Sequence, residues 1–192
     1  MNTVMILTTI LNLTKNNALY LQNEFTQMKN IILTRQEIEH KTRRIAYQIY
    51  ETFPDESEIV LAGVANSGYL FSKMIAEELK KIAPFGVTLC EVRINKENPI
   101  DIIETSLRAE EYTNKSLVLV DDVLNSGTTL IYGVKHFLDV PLKKFKTAVL
   151  VDRNHKQFPV KADFKGLSLS TSLRERVQVV LSEEDKYAYL ED

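Results

Sequence analysis

Short apolar runs alternate along the chain with segments in which apolar residues recur at helical spacing. The runs are rich in Val, Ile and Leu, which is typical of strands buried on both faces of a parallel sheet. The strands that they predict are 59–62, 87–94, 117–120 and 146–151. The amphipathic segments predict helices that begin near Thr34, Tyr69 and Thr129. This alternation indicates a doubly wound α/β domain with a mostly parallel sheet.

The first predicted helix carries a recognisable start signal. Thr34 and Glu37 have the Thr-x-x-Glu spacing of a capping box, in which each side chain hydrogen-bonds the backbone amide of the other residue. Ile38, Ala46 and Ile49 then recur at helical spacing, so one face of the helix is expected to pack in the core. The opposite face is basic, as solvated helix faces often are.

The stretch from Leu117 to Leu130 has the order strand, acid pair, polar loop, helix. Asp121 and Asp122 follow where the strand is expected to end. The loop after them is polar and contains one glycine; its residues are Asn125, Ser126, Gly127, Thr128 and Thr129. The backbone N–H groups of such a loop at a helix N-terminus point at a phosphate, and the helix dipole favours negative charge there.

The two carboxylates suit a different part of the same ligand. They repel a phosphate, but they can bind the vicinal hydroxyls of a ribose or a Mg²⁺ that bridges sugar and pyrophosphate. The order of elements therefore fits a phosphorylated sugar. On spacing alone, an ordinary strand–helix turn explains the same residues equally well.

A second loop of small residues precedes the second predicted helix. It follows the strand at 59–62 and consists of Ala65, Asn66, Ser67 and Gly68. Small residues at a helix start again form a cradle for an anion. Taken alone, this loop is better explained as an ordinary connection between a strand and a helix. Because the loop at 125–129 is a candidate phosphate site as well, phosphate binding becomes the favoured explanation for 65–68.

Composition and charge narrow the class of protein. The chain has 192 residues, enough for one domain with a full core. Of these residues 44% are hydrophobic and 26% are charged, and the formal net charge is −2. This balance does not indicate nucleic-acid or membrane binding. A single cysteine, Cys90, excludes an internal disulfide and suits a reducing cytoplasm. No apolar run reaches the ~20 residues of a membrane span.

Residues 1–27 stand apart from the rest of the chain. They are mildly apolar but lack the basic region and cleavage pattern of a signal peptide. Met28 could serve as an alternative start. We expect residues 1–27 to be a peripheral extension and residues 28–192 to form the functional domain.

The stretch LVLVDDVLNSGTTL resembles the phosphoribosyl-pyrophosphate (PRPP) signature of type I phosphoribosyltransferases. It lacks the lysine of a Walker A loop and the G-x-G-x-x-G of a dinucleotide site. The resemblance implies a mostly parallel twisted sheet with helices on both faces and a small hood. It also implies that Asp121 and Asp122 contact the ribose and Mg²⁺, directly or through water. Residues 125–129 would then hold the 5′-phosphate and residues 65–68 the pyrophosphate.

The family also has a flexible lid that arises between the two phosphate loops. In this chain the polar segment after the third predicted strand occupies that place. Arg93 and Lys96 are the candidate lid cations there, although charges in an exposed loop often serve only solubility.

The block TAVLVDRNHKQFPVKADFKGLSLSTS resembles a narrower family, the bifunctional pyrimidine-operon attenuation regulators and uracil phosphoribosyltransferases. The family pattern D-R-x-H-x-x-x-P-[IV]-x-A-D-F-x-G…T-S is matched here by Asp152, Arg153, His155, Pro159, Val160, Ala162, Asp163, Phe164, Gly166, Thr171 and Ser172. The resemblance implies transfer of the phosphoribosyl group to a pyrimidine base, with uracil giving UMP and pyrophosphate. Asp152, Arg153 and His155 are then the candidate base-binding residues, with the arginine plane stacking on the base. They would lie in a hood at about 152–172.

The chain departs from this family at several positions. The first loop has Asn66-Ser67-Gly68 where the family has Thr-Arg-Gly, so one cation on the pyrophosphate is missing. Asn125 stands where hypoxanthine-guanine relatives have an aspartate, which argues against a purine acceptor. Tyr47 replaces a histidine that the regulators present to RNA.

The resemblance leaves a second function open, that of a PRPP- or nucleotide-sensing regulator that binds RNA. The residues that could form its basic face are Lys143, Lys144, Lys146, Arg153, His155, Lys156, Lys161 and Lys165. The family also implies a homo-oligomer, most simply a dimer, located in the cytoplasm.

Overall fold

The computed structural model describes residues 30–170 and 175–191, which form two sheets and four helices. The strands are β1 (Ile31–Leu33), β2 (Glu58–Val64), β3 (Gly86–Arg93), β4 (Glu104–Thr105), β5 (Ser116–Leu124), β6 (Lys144–Asp152), β7 (Phe164–Ser168), β8 (Arg176–Leu181) and β9 (Lys186–Glu191). The helices are α1 (Arg35–Thr52), α2 (Ser67–Ile82), α3 (Ala109–Tyr112) and α4 (Thr128–Phe137). Within these residues, no helix combines the length and apolar character needed to span a bilayer.

The main sheet has the strand order β4-β3-β2-β5-β6-β7. Its strands are parallel except β4, which pairs antiparallel with β3 at one edge. The chain moves outward from β2 to β3 and then returns to place β5 on the other side of β2. The strand order therefore reverses between β2 and β5. The crevice beyond the carboxyl ends of two such strands is where open α/β sheets bind ligands.

Hydrophobic cores cover both faces of this sheet. Successive residues of a strand point to opposite faces. Leu61 of β2 accordingly packs in the core that contains Ile45 of α1 and Phe71 of α2. Its neighbour Val60 packs in the second core, with Phe137 of α4. Burial on both faces explains the uninterrupted apolar runs and confirms the predicted mostly parallel sheet with helices on both faces.

Helix α1 begins as its sequence predicts. The hydroxyl of Thr34 accepts a hydrogen bond from the amide of Glu37 at 3.4 Å, and the Glu37 carboxylate accepts one from the amide of Thr34 at 2.9 Å. Ile38, Ala46 and Ile49 are fully buried. Both the capping box and the buried face of this helix are thereby confirmed.

Strand β5 is longer than its apolar run predicts. Its pairing with β2 ends at Val120, whereas its pairing with β6 continues to Leu124. Asp121 and Asp122 therefore lie inside the strand rather than after it. They occupy the part of β5 that extends beyond its neighbour β2, at the border of the crevice.

The small sheet differs from the hood expected at 152–172. Its order is β1-β9-β8, all antiparallel, so both ends of the described chain build it. Strand β7, which lies within 152–172, instead pairs with β6 as the edge strand of the main sheet. Local sequence patterns cannot reveal such pairing between distant segments. The predicted extension at 1–27 and the matched residues Thr171 and Ser172 lie outside the described residues.

Candidate active site

The acid pair meets the first turn of α2 at the carboxyl edge of the main sheet. Asp121 is only 4% exposed, and Asp122 is partly buried. Gly68 packs so closely on this strand that a Cβ atom there would lie 3.0 Å from Oδ1 of Asp121. A glycine permits this approach because it has no side chain. The start of α2 therefore lies directly against Asp121, on the strand that leads into the second predicted loop.

The surroundings of Asp121 disfavour its negative charge. Burial raises the pKa of Asp121 well above the usual range, and the neighbouring Asp122 carboxylate raises it further. Lys96 acts in the opposite direction on the same pKa. A buried carboxyl with a second acid beside it, at the mouth of a crevice, is typical of a ligand site. A bound cation or hydroxyl donor would stabilise its charged form.

Residues 125–129 adopt a conformation suited to an anion. Gly127 precedes α4 with a φ of 86°, a left-handed conformation that is readily accessible to glycine. The Ser126 hydroxyl lies 2.9 Å from the Thr128 hydroxyl and accepts from the Thr128 amide at 3.3 Å. The loop and Asp121 line one pocket. Because the first amides of a helix have no intrahelical acceptor, those of α4 can bind phosphate oxygens.

The β6–β7 loop (residues 153–163) lies directly against the loop at 125–129. The amides of Gln157 and Phe158 both donate to the carbonyl of Ser126, at 2.8 and 3.1 Å. A Cβ atom at Gly127 would lie only 2.6 Å from Cγ1 of Val160. Space as well as backbone conformation therefore favours glycine at 127, and the two loops form one unit.

The loop at 65–68 connects β2 to α2 and is held by its neighbours. The amide of Ala65 donates to the carbonyl of Val92 at 2.7 Å, and the hydroxyl of Ser67 donates to the carbonyl of Val179 in the small sheet at 3.3 Å. Asn66 has φ 71° and ψ −123°, a conformation that residues other than glycine rarely adopt. Backbone strain of this kind is common at ligand sites. A diphosphate here would be bound by amides and a hydroxyl.

The structure separates the two predicted lid cations. Arg93, at the end of β3, pairs with Glu91 at 3.1 Å, and its side chain is 66% exposed. Lys96 lies close enough to Asp121 to lower the pKa of that carboxyl. Of the two candidates, Lys96 is thus the one whose charge acts on Asp121, and its role in a lid stays a prediction.

Asp152 lies at the end of β6 with its carboxylate fully engaged by protein groups. It accepts hydrogen bonds from the ammonium groups of Lys156 and Lys165 at 3.1 and 3.0 Å, and from the amide of Asn154 at 3.1 Å. Burial would raise the pKa of Asp152, but these donors outweigh burial and lower it. The geometry favours a structural role for Asp152 over the predicted contact with a base.

Arg153 is also buried, at 4% exposure. One terminal nitrogen donates to Oδ1 of Asn125 at 2.9 Å, and the other donates to the carbonyl of Glu175. Its guanidinium thus connects protein segments, which differs from the predicted stacking on a base. His155, the third predicted base-binding residue, is partly buried in the same loop.

The basic residues of the final third do not gather on one surface. Lys144 begins β6 and Lys156 follows its end, so roughly 25 Å of strand separate them. Many of the lysines are also ion-paired: the pairs are Lys143–Glu56, Lys146–Asp163, Lys156–Asp152 and Lys165–Asp152. The cluster in the sequence is therefore spread along β6, and four of its lysines are ion-paired.

The acid pair fits Mg²⁺ of the kind that accompanies phosphate substrates. Among the described residues, no group of three or more His, Cys, Asp or Glu side chains is placed to hold a metal. Mg²⁺ bound with a phosphate substrate needs only one or two carboxylates, because phosphates and water supply the other ligands. Asp121 and Asp122 meet this requirement, and a cation there would offset the burial and repulsion that raise the pKa of Asp121.

Sequence reasoning missed two residues that shape the site from the far end of the chain. Glu175 and Val179 contribute backbone carbonyls, which accept from Arg153 and Ser67. A backbone carbonyl leaves no signature in the residue type. Only the pairing of the small sheet could have indicated these contacts.

Comparison with known proteins identifies the family of this chain. The profile of the family described as phosphoribosyl transferase domain matches residues 29–183. Bifunctional protein PyrR of Streptomyces coelicolor is 32% identical over 172 residues, which cover 85% of this chain and 89% of that protein. The protein of the same name from Bacillus subtilis is 31% identical over 168 residues, which cover 82% of this chain and 93% of that protein.

Solved structures of more distant sequence share the fold. The hypoxanthine phosphoribosyltransferase of Trypanosoma cruzi has a TM-score of 0.69 at 16% identity, covering 84% of this chain and 95% of that one. A hypoxanthine-guanine phosphoribosyltransferase from Bacillus anthracis has a TM-score of 0.62 at 21% identity, covering 74% and 83%. The predicted type I fold is confirmed. The chain belongs to the phosphoribosyl transferase family, and within that family it is similar to the proteins named PyrR.

Proposed function

We propose that this chain transfers the 5-phosphoribosyl group of PRPP to a pyrimidine base, with uracil as the acceptor, giving UMP and pyrophosphate. The observation that supports the proposal is the packing of Gly68 against Asp121, through which the start of α2 meets the strand that leads into the loop at 125–129. PRPP has the matching order of groups: a phosphate, a ribose with two hydroxyls, and a diphosphate.

In this proposal the two loops bind the two ends of PRPP. The first turn of α4, with the hydroxyls of Ser126, Thr128 and Thr129, holds the 5′-phosphate. Residues 65–68 hold the diphosphate without an arginine. Both loops offer amide dipoles that are already oriented before the substrate arrives, so little reorganisation opposes the reaction.

Charge stabilisation and positioning account for the chemistry. The anomeric carbon gains oxocarbenium character as pyrophosphate leaves. The carboxylates of Asp121 and Asp122 orient the ribose hydroxyls and stabilise the positive ring. Mg²⁺, when bound at these carboxylates, offsets the charge of the diphosphate. Uracil is acidic enough for its N–H proton to be lost without a side-chain base.

The choice of a pyrimidine rests on the sequence rather than on the fold. A pyrimidine acceptor is favoured by the D-R-x-H block and by Asn125, which stands where the hypoxanthine-guanine enzymes have an aspartate. In addition, relatives near 30% identity carry the PyrR name. The similar solved structures are purine enzymes, but at 16% and 21% identity they carry the fold alone.

Pyrophosphate release in the presence of PRPP and Mg²⁺ tests the reaction and the base together. We expect release with uracil, and much less with cytosine, hypoxanthine or guanine. The double variant Asp121→Asn/Asp122→Asn should lose about a hundredfold or more in kcat, since one lost preorganised group costs roughly 2.7–4 kcal/mol. Release with purines alone would overturn the choice of base. If none of these bases supports release, the proposed enzymatic activity is overturned.

The relatives are named bifunctional, so a regulator that binds RNA is the second candidate function. The ion-paired and separated lysines give it little support on the described surface. Retention of pyrimidine-operon leader RNA at two salt concentrations tests it, with a log–log slope near −0.7 for each phosphate contact on single strands.

We also propose that the chain forms a homodimer, and sedimentation can measure its oligomeric state.

A further inference from the structure

The guanidinium of Arg153 joins three parts of the site that are distant in sequence. Arg153 itself belongs to the β6–β7 loop. It donates to Oδ1 of Asn125 in the phosphate loop at 2.9 Å, and to the carbonyl of Glu175 just before β8. Its own amide donates to the carbonyl of Leu124 at 3.0 Å. A charged side chain that is only 4% exposed has thus been placed between loops.

These contacts hold the phosphate loop at its entrance. Asn125 is exposed and is the first residue after β5, so its backbone position is not fixed by burial. The next residue, Ser126, receives two amide hydrogen bonds from the β6–β7 loop through its carbonyl. The same loop therefore fixes the phosphate loop twice, once through a side chain and once through the backbone.

We propose that Arg153 is a positioning residue, which sets the 5′-phosphate loop through Asn125 and anchors it to the small sheet through Glu175. This inference rests on the proposed binding of PRPP. Arginine suits the role because its planar group carries several donors in a fixed fork and can reach two acceptors at once. Lysine has a single nitrogen and cannot span both. Arg153 acts through Asn125, without contact to PRPP or the base.

The competing explanation is that Asn125 or Arg153 binds PRPP directly. A double-mutant cycle separates the two. If the residues act as a pair, loss of either one removes the whole effect, and the double variant is no worse than a single one. If each binds PRPP by itself, their effects multiply.

The test measures the Kd for PRPP in Mg²⁺ by calorimetry, together with kcat, for Arg153→Met, Asn125→Ala and the double variant. We expect Kd to rise about tenfold or more in each single variant, as for one lost hydrogen bond to a charged group. We expect the double variant to match the singles and kcat at saturating PRPP to change by less than about threefold. Asn125→Asp keeps an acceptor for the guanidinium and should retain most of the affinity.

Arg44 offers a control elsewhere in the fold. It is exposed, and it donates to the backbone carbonyls of Lys165 and Gly166, both at 2.7 Å, which ties α1 to β7 away from the pocket. Arg44→Met should lower the melting temperature and leave Kd for PRPP unchanged. If Arg153→Met does not fold, Asn125→Ala and Arg153→Lys supply the cycle, because Asn125 is exposed.

Each outcome decides the matter. Multiplied effects in the double variant, or a large fall in kcat at unchanged Kd, would overturn the positioning role. If Arg44→Met raises the Kd for PRPP as much as Arg153→Met does, Arg153 affects binding only by stabilising the fold. Absence of PRPP binding by the wild-type chain is seen before any variant is made, and it would overturn the proposed function itself.

Discussion

Asp121 places a carboxyl group in a strand whose preceding residues are entirely buried and apolar. Leu119 and Val120 are fully buried, and Asp121 is 4% exposed. The sequence predicts this acid from its position after an apolar run. It cannot predict that Gly68 closes over it, because that contact depends on how α2 packs on β5. The chemistry of the residue was predictable, whereas its environment was not.

The raised pKa of Asp121 makes the stability of the fold depend on pH. Burial, followed by repulsion from Asp122, raises this pKa in the folded state. The folded chain therefore binds the proton more tightly than the unfolded chain, whose aspartate pKa is about 3.9. The resulting stability is fully present below that value and is lost as pH rises through the folded pKa, by about 1.4 kcal/mol for each pH unit between the two.

Urea unfolding of Asp121→Asn over a series of pH values measures this effect. Below the unfolded pKa the variant should be no more stable than the wild type, and its relative stability should rise as pH increases. Asp55→Asn, at an exposed position after α1, should show no such trend. If the free energy of unfolding depends on pH in the same way in the wild type and in Asp121→Asn, folding does not raise the pKa of Asp121.

Helix α1 illustrates how far a single element can be predicted. Its cap, its buried face and its start are all visible in the sequence, since they depend on residues three or four positions apart. Strand β5 is different. Its apolar run predicts the buried part, but its last four residues are set by pairing with β6, which the run does not contain.

Thr34→Ala should lower the free energy of unfolding by about 1 kcal/mol, the usual cost of a lost N-cap. Thr34→Ser keeps the hydroxyl and should remain close to the wild type. Hydrogen bonds from Thr34 lower the pKa of Glu37 in the folded chain. The Glu37 carboxylate therefore stabilises the cap fully at pH values above the pKa that Glu37 has in the unfolded chain. This stabilisation is lost as pH falls through the folded pKa. Equal stability of all three proteins at neutral pH would contradict the capping box.

At the scale of the whole molecule, alternating strands and helices were enough to predict the sheet. The small sheet was not predictable, because β1 and β9 come from opposite ends of the described chain. The same limit applies to the basic residues of the final third. They are neighbours in sequence, yet the length of β6 spreads them along the sheet, and two of them share buried Asp152 as their ion-pair partner.

The site likewise depends on the whole fold. Its loops are local motifs, and each one alone could be an ordinary connection. They become a candidate PRPP site because β2 and β5 are adjacent, which brings both helix starts and the acid pair to one crevice.

Titration of the intact, folded chain with PRPP in the presence of Mg²⁺, followed by calorimetry, is the decisive measurement. We expect saturable uptake of one PRPP per chain, weakened at least about tenfold when Asp121 and Asp122 are both replaced by asparagine. No heat of binding from the folded wild-type chain, or equal affinity in the double variant, would contradict this expectation.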